Sequence, residues 1–386
     1  DMDFDLSEDQ RLLQDSLTKL LADKYKFEDR KRFLKSANGW SQEMWEAYAE
    51  LGLLGLPFAE EDGGFGAGPV EVMLMAQAMG GAITLEPWLA TVVMGGGFIR
   101  HGASAALRAA LVPEIAAGKL KLAFGYTEPQ SRHDLHDVAT TAKKDGGAWV
   151  LEGRKGVVLH GDVADQIIVT ARIGGARRDK SGIGVFLVPA NAKGVSRRGY
   201  PTTDGLRGAE ITLDRVSLPA EALLGDAGNG LALVDRVVDE TIAALAGEAV
   251  GAMDALQKLT LDYLKTRKQF GRPIGSFQSL QHRAAEMMVC LEEARSMAML
   301  AAMMAQEPDA TERRRQMSAV KVQIGRSGKF IGQGAIQLHG GIAVTDEYIV
   351  SHYFKKLTQL EMTFGDTLHH LGEVSNSMQE TAGVFA

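Results

Sequence analysis

Apolar residues near the start of the chain recur every three or four positions. Leu12, Leu13, Leu17, Leu20 and Leu21 form one stripe, and Ser7 and Gln10 stand ahead of it at capping-box spacing. Helix is therefore predicted from just after Ser7, and residues 1–120 read as a helical domain. Between 121 and 232 the period falls to two. VATTAKKDGGAWVLEG (138–153) reads as two strands joined at Asp145-Gly146-Gly147, and QIIVTARI (166–173), GVFLVPA (184–190) and AEITLDRVSL (209–218) read as further strands. Strand follows strand with no helical spacer, which predicts an antiparallel barrel or sandwich rather than a βαβ fold. From 233 to 386 helical spacing returns: Val234, Val237, Val238, Ile242, Leu245, Met253, Leu256 and Leu264 mark a long helix, and two more follow over 279–306 and 313–337. The expected class is a multidomain α+β protein, with an N-terminal helical domain, a middle antiparallel β domain and a C-terminal four-helix bundle.

Composition narrows the partners. With 45% hydrophobic and 24% charged residues the chain is an ordinary globular protein, and its net charge of −7 argues against nucleic acid. WLATVVMGGGFI (88–99) is too short for a bilayer span and is expected as a buried helix. The acidic DMDFDLSEDQ lacks a signal-peptide pattern, and the single cysteine, Cys290, suits a reducing, cytoplasmic setting. No Rossmann fingerprint or P-loop opens a helix, and no metal site is expected.

Two segments carry candidate chemistry. In AALAGEAVGAM (243–253) one carboxylate, Glu248, sits among small and apolar residues, where it is costly to bury unless paired or used. In RKQFGRPIGSFQSLQH (267–282), Arg267 is suited to a phosphate and Phe270 to the flank of an aromatic ring. The same residues also suit a helix C-terminus closed by Gly271.

That second segment, with QLHGGIA (337–343), YTEP (126–129), LGLLGLPFAEEDGGFG (51–66) and GLRGAEITLDRVSLPAEALLG (205–225), resembles the acyl-CoA dehydrogenase family of flavoproteins, in the family's order and over essentially the whole chain. The resemblance implies FAD bound across a subunit interface. It implies flavin contacts at Arg267, Gln269, Phe270, Phe277, Gln278, Gln337, Gly340, Gly341 and Thr367, and at Phe124, Tyr126 and Thr127 along the isoalloxazine. It also implies an acyl-CoA substrate near His133, Thr241, Ile242 and Leu245, and an electron-transferring flavoprotein as acceptor. The implied assembly is a homo-oligomer, or a heteromer with a larger subunit as in pimeloyl-CoA dehydrogenase. Membranes and nucleic acid are not expected partners.

Departures from the family pattern matter as much. QSRHD (130–134) replaces a run of small residues, Val157-Val158-Leu159 replaces a Trp-x-Thr triplet, and Gly365 stands where many members carry a glutamate. The family reaction removes a proton next to a thioester and passes a hydride from the neighbouring carbon to the flavin, which needs one carboxylate. Other members place it at the position of Thr241. Glu248 lies two turns further on, about 10.5 Å along the helix, on nearly the same face. It is the expected base, with Asp366 in reserve. The competing reading is a non-catalytic partner subunit that supplies half of a shared flavin site.

Overall fold

The computed structural model describes residues 5–383. Its helices are α1 (Glu8–Lys24), α2 (Phe27–Leu34), α3 (Gln42–Glu50), α4 (Pro69–Ala82), α5 (Gly96–Gly102), α6 (Ala105–Ala116), α7 (Gly230–Thr266), α8 (Gln278–Met304), α9 (Ala310–His339), α10 (Ile349–Met362) and α11 (Thr367–Gly383). The strands are β1 (Leu122–Gly125), β2 (Thr141–Asp145), β3 (Ala148–Lys155), β4 (Gln166–Arg172), β5 (Ile183–Pro189), β6 (Val195–Pro201), β7 (Arg207–Pro219), β8 (Leu223–Leu224), β9 (Lys268–Gln269) and β10 (Arg272–Pro273). The chain forms two compact units. One holds the N-terminal segment to Lys31, Pro69–Thr84 and the chain from Ile242 on; the other holds Arg32–Gly68 and Leu85–Thr241. The early helices contribute to both units.

In the sheet unit, eight strands run in the order β6-β7-β3-β2-β4-β5-β8, with β1 joined to β4. The sheet is mixed, not purely antiparallel as expected: β4 takes both β1 and β2 in parallel. The Asp145-Gly146-Gly147 turn forms where the sequence places it, pairing Asp145 with Ala148 and putting Gly146 at φ +63°. The 88–99 segment is buried, as its composition requires, but begins as a π-helical stretch over Leu89–Gly95. Among the described residues no helix is long and apolar enough to cross a membrane. Trp149 meets Phe186 edge to face at 5.3 Å in a core that includes Leu151, Ile167, Val169 and Ile211.

A buried charge pair fixes the YTEP turn to this sheet. Lys155 Nζ donates to Glu128 at 2.6 Å and to Thr170 Oγ1 at 2.9 Å, with the lysine side chain fully buried. The Glu128 carboxylate also accepts from Gln130 and from the backbone of Ala139 and Thr140. Burial alone pushes its pKa up, but Lys155 and these donors outweigh that and hold it below the usual carboxylate value.

In the helical unit, the capping box of α1 is closed in both directions: Gln10 N donates to Ser7 Oγ at 3.2 Å and Ser7 N to Gln10 Oε1 at 3.0 Å. Leu17 and Leu21 are buried, while Leu12 is left in solvent. The tightest helix contact joins α4 to α7. A Cβ added at Gly251 would lie 1.8 Å from Gln77 O, one at Gly247 2.5 Å from Met73 O, and one at Gly80 2.0 Å from Glu248 O. Backbone meets backbone here, which only glycine permits.

Two outcomes follow from this packing. Gly251→Ala is expected to lose about 1–3 kcal/mol to overpacking, whereas Gly372→Ala, on α11 with nothing within 4 Å, should be neutral or gain a few tenths; denaturant midpoints that rank the two the other way would refute the close contact. Glu128→Gln leaves Lys155 buried without a counter-charge, at an expected cost of about 3–5 kcal/mol. Because the folded-state pKa of Glu128 lies below the unfolded one, the pair's contribution is complete above the unfolded value and fades as pH falls through the folded one. The stability gap between wild type and variant should accordingly close in acid.

Candidate functional site

The helical unit presents most of the positions implied for the flavin. After α7, the backbone turns through the β9–β10 hairpin, in which Arg272 pairs with Gln269. Its tip carries Phe270, 86% exposed and at φ +54°. Packing does not account for an aromatic residue so far in solvent and in a strained backbone conformation. Phe277 stands edge-on to it at 6.5 Å, and the Arg272 guanidinium lies 4.1 Å from the Phe277 ring. Arg267, Gln269 and Gln278 are exposed, and no ion pair or side-chain hydrogen bond engages them among the described residues.

The end of α9 is the second such place. Gly340, at φ +74°, and Gly341 have nothing within 4 Å of where a side chain would begin, so their backbone is open to a ligand. Gln337 is exposed and accepts from Arg283 at 2.6 Å. The residue that fixes this turn is His339, which the sequence reading passed over. It is buried, contacts Thr260 Oγ1 and the Tyr348 hydroxyl at 3.1 Å each, and lies 4.4 Å from the Tyr263 ring. Burial lowers its pKa to about 4, so it is neutral at pH 7. Thr367 packs against α9, its Oγ1 2.3 Å from where a Cβ of Gly325 would lie.

In the sheet unit, Gly156 N donates to Thr127 O at 2.7 Å, tying the YTEP turn to the segment that precedes Val157. Tyr126 and Thr127 are half-buried, and burial pushes the Tyr126 hydroxyl up to about 12. Phe124 needs correction as a flavin contact. Its ring is buried, 4.5 Å from Phe98 and 4.9 Å from Tyr126, so it supports Tyr126 from the core. Val157 is half exposed at φ +48°, a costly conformation for a β-branched residue. His133 is exposed, next to Arg132 at φ +48°.

The expected base is placed differently from the expectation. Glu248 Oε1 lies 2.7 Å from Nζ of Lys356 on α10, a side chain only 2% exposed. The small residues around 248, read as room for a ligand or another backbone, admit the backbone of α4. An unpaired carboxylate beside open space is therefore not what the fold provides. Lys356 was missed because a lysine in a helical pattern reads as surface. Asp366 caps α11, its Oδ1 accepting from His369 N at 2.8 Å. Gly365 sits at φ +100°, and a Cβ there would fall 2.6 Å from His369 Cδ2 and 2.8 Å from His370 Nε2. His370 Nε2 donates to Phe364 O at 2.8 Å and Nδ1 accepts from Ser318 Oγ at 2.9 Å, while Lys321 Nζ donates to the carbonyls of Leu360 and Glu361. Thr241, Ile242 and Leu245, implied as substrate contacts, are 0%, 0% and 3% exposed, and the Thr241 hydroxyl donates to Val237 O. Glu240 is held by Arg100 and, at 2.7 Å, by His101. Among the described residues no cluster of three or more His, Cys, Asp or Glu is placed to hold a metal.

Comparison with known proteins gives this arrangement its context. Models of the N-terminal, middle and C-terminal domains of acyl-CoA dehydrogenase match residues 7–119, 123–216 and 228–378. The acyl-CoA dehydrogenase FadE12 of Mycobacterium tuberculosis is 30% identical over 314 residues, 81% of each chain. The probable acyl-CoA dehydrogenase YngJ of Bacillus subtilis is 28% identical over 94% of this chain and 96% of its own. Among solved structures, a variant of the Tcur3481-Tcur3483 steroid ACAD superposes with a TM-score of 0.87 at 27% identity, covering 97% of this chain and 99% of that one. Three domain models in chain order and a relative 30% identical over 81% of the chain make this protein a member of the acyl-CoA dehydrogenase family.

Proposed function

We propose that the chain is a subunit of an FAD-dependent enzyme that dehydrogenates an acyl-CoA thioester between its α and β carbons, and that a second chain supplies the catalytic base. The observation that carries this reading is the commitment of each candidate carboxylate to the fold. Glu248 is paired with Lys356 at 2.7 Å, Asp366 caps a helix, and the place of residue 365 is filled by two imidazole rings. A general base needs a carboxylate within reach of the substrate, and these three positions are otherwise engaged.

The residues present fit the cofactor. Gly340 and Gly341 offer backbone with no side chain in the way, Arg267 offers a guanidinium without an ion pair among the described residues, and Phe270 offers an exposed ring. These suit a dinucleotide's phosphates and its aromatic ends. On the sheet unit, Tyr126 and Thr127 are held in place by the Gly156 bridge and by Glu128 beneath them. When bound, FAD supplies the hydride acceptor. Phe270 and Phe277 are assigned to orient it, Arg267 and Gln269 to bind its phosphates, and Gln337 and Thr367 to fix its remaining polar edge. An electron-transferring flavoprotein is the assigned electron acceptor, and a larger family member the assigned partner. The Tcur3481-Tcur3483 relative, whose name pairs two components, supports that assembly.

The test is to purify the chain alone, record its visible spectrum, add an acyl-CoA, and repeat with a partner subunit. Bleaching is expected only with the partner, and the Glu248→Gln and Lys356→Met variants should each lose about 3–5 kcal/mol of stability by breaking a buried pair. Glu248→Gln should retain the bleaching rate of the assembled enzyme at a temperature where it is folded. A chain that is bleached alone, and loses that reaction in a folded Glu248→Gln variant, would return the base to position 248.

A further inference from the structure

His339 ends α9, and the short 3₁₀ turn that follows it, Gly340–Val344, leads to Tyr348 just ahead of α10. The imidazole is 2% exposed, and each of its nitrogens meets a hydroxyl at 3.1 Å: Nε2 meets Thr260 Oγ1 on α7, and Nδ1 meets Tyr348. Two hydroxyls would leave the tautomer open, but Thr260 fixes it. Its Oγ1 lies 2.8 Å from Leu256 O. A carbonyl only accepts, so the one hydroxyl proton of Thr260 is committed there, and Thr260 has only lone pairs to offer His339. Nε2 therefore carries the ring proton and donates. Burial keeps the ring neutral at pH 7, which leaves Nδ1 bare to accept from the Tyr348 hydroxyl.

The result is one directed chain of hydrogen bonds: the Tyr348 hydroxyl donates to His339, His339 Nε2 to Thr260, and Thr260 Oγ1 to the Leu256 carbonyl. Bonds aligned in this way polarise and strengthen one another. The chain joins α7, the end of α9 and the start of α10. It also staples the two ends of residues 340–347 to each other, because His339 and Tyr348 flank them. The Tyr263 ring lies 4.4 Å from the imidazole, and Ser351 Oγ donates to the carbonyls of Thr345 and Tyr348 at 2.7 and 3.1 Å. Within the stapled span Gly340 takes φ +74°, and Ile342 and Val344 are 50% and 69% exposed, so side-chain burial does little to fix its path.

We infer that His339, Thr260 and Tyr348 are positioning residues for the cofactor: their directed chain holds the Gly340–Gly341 backbone in the conformation that meets FAD, and does so with His339 in the Nε2–H form. This role rests on the assignment of Gly340 and Gly341 to the flavin dinucleotide made above, and none of the three side chains has to touch the ligand. Removing the Tyr348 hydroxyl leaves the buried Nδ1 without its donor, and valine at position 260 leaves the Nε2 proton without its acceptor. Either loss makes the closed form of the span less favourable.

The test is to titrate the flavin-free chain with FAD, reading flavin fluorescence, with the partner subunit present if the wild type requires it. Tyr348→Phe and Thr260→Val should each weaken FAD binding about three- to tenfold, and Thr260→Ser, which restores the acceptor, should recover it. Thr358→Val removes a hydroxyl in the same way on an exposed face of α10, where Oγ1 donates to Phe354 O, and should leave the affinity unchanged. Nitrogen-15 spectra of the flavin-free chain give a readout that neither activity nor cofactor enters: His339 should show a protonated Nε2 and a bare Nδ1. The opposite tautomer, or wild-type affinity in both folded variants, would overturn the inference and leave the proposed activity standing. A wild-type chain that takes up no FAD in either assembly would overturn the cofactor assignment and the positioning role together.

Discussion

The contact on which the helical unit depends is the meeting of α4 and α7 at backbone distance. Gly247 and Gly251 on one helix, and Gly80 on the other, remove the side chains that would hold the two axes apart. Close approach brings carbonyl oxygens against the facing helix and gains dispersion contacts along its length. It also decides what the remaining side chains of α7 can do. Glu248, between the two glycines, has its backbone oxygen against α4 and its carboxylate turned to Lys356 on α10. A charge that the sequence shows as isolated among small residues is one half of a buried pair that ties a third helix to this contact. Such pairs add little net stability over an apolar replacement, but breaking one is costly, so they fix which elements meet.

The alternation of periods was enough to find most of the architecture, and the failures have physical causes. β6 went unread because Ser196, Arg197 and Arg198 follow one another with no apolar alternation; the strand is held by its ladder to β7 and lies exposed. The parallel pairing of β4 with β1 and β2 was invisible because period reports which face is buried and not which neighbour runs alongside. The π-helical turn over Leu89–Gly95 looks in sequence like any apolar helix. Of the positions that motif resemblance implies, Arg267, Phe270, Gly340 and Gly341 are all open. Interior positions were not, because a sequence shows a charge without its partner. Lys155, Lys321 and Lys356 are buried lysines that each satisfy a carboxylate or helix-end carbonyls, and none carries a local signal.

The turn between α10 and α11 shows how closely a glycine can be fitted to its surroundings. Phe364 and Gly365 both take positive φ, at +58° and +100°. That geometry is supported on all sides: His370, itself held by Ser318, donates to the Phe364 carbonyl, Lys321 closes the last turn of α10, and Asp366 opens α11. Burial lowers His370 to about 3 and Lys321 to about 7, so at neutral pH the histidine is an uncharged hydrogen-bonding group and the lysine is near its midpoint. A glutamate at 365 would have to displace two rings as well as accept a left-handed backbone. The glycine is therefore built into this turn and is not a simple truncation of a catalytic side chain.

These observations share one direction. The carboxylates available for proton chemistry on α7 and at the α10–α11 turn are engaged in structure: Glu240 with Arg100 and His101, Glu248 with Lys356, and Asp366 with a helix N-terminus. The groups left open are cationic, aromatic or glycine backbone, as at Arg267, Phe270 and Gly340. An exposed phenylalanine in a strained conformation costs free energy in the free subunit, and that cost is offset only when another surface covers it. The division between occupied acids and open cationic, aromatic and glycine positions is the pattern on which the proposed two-chain site rests.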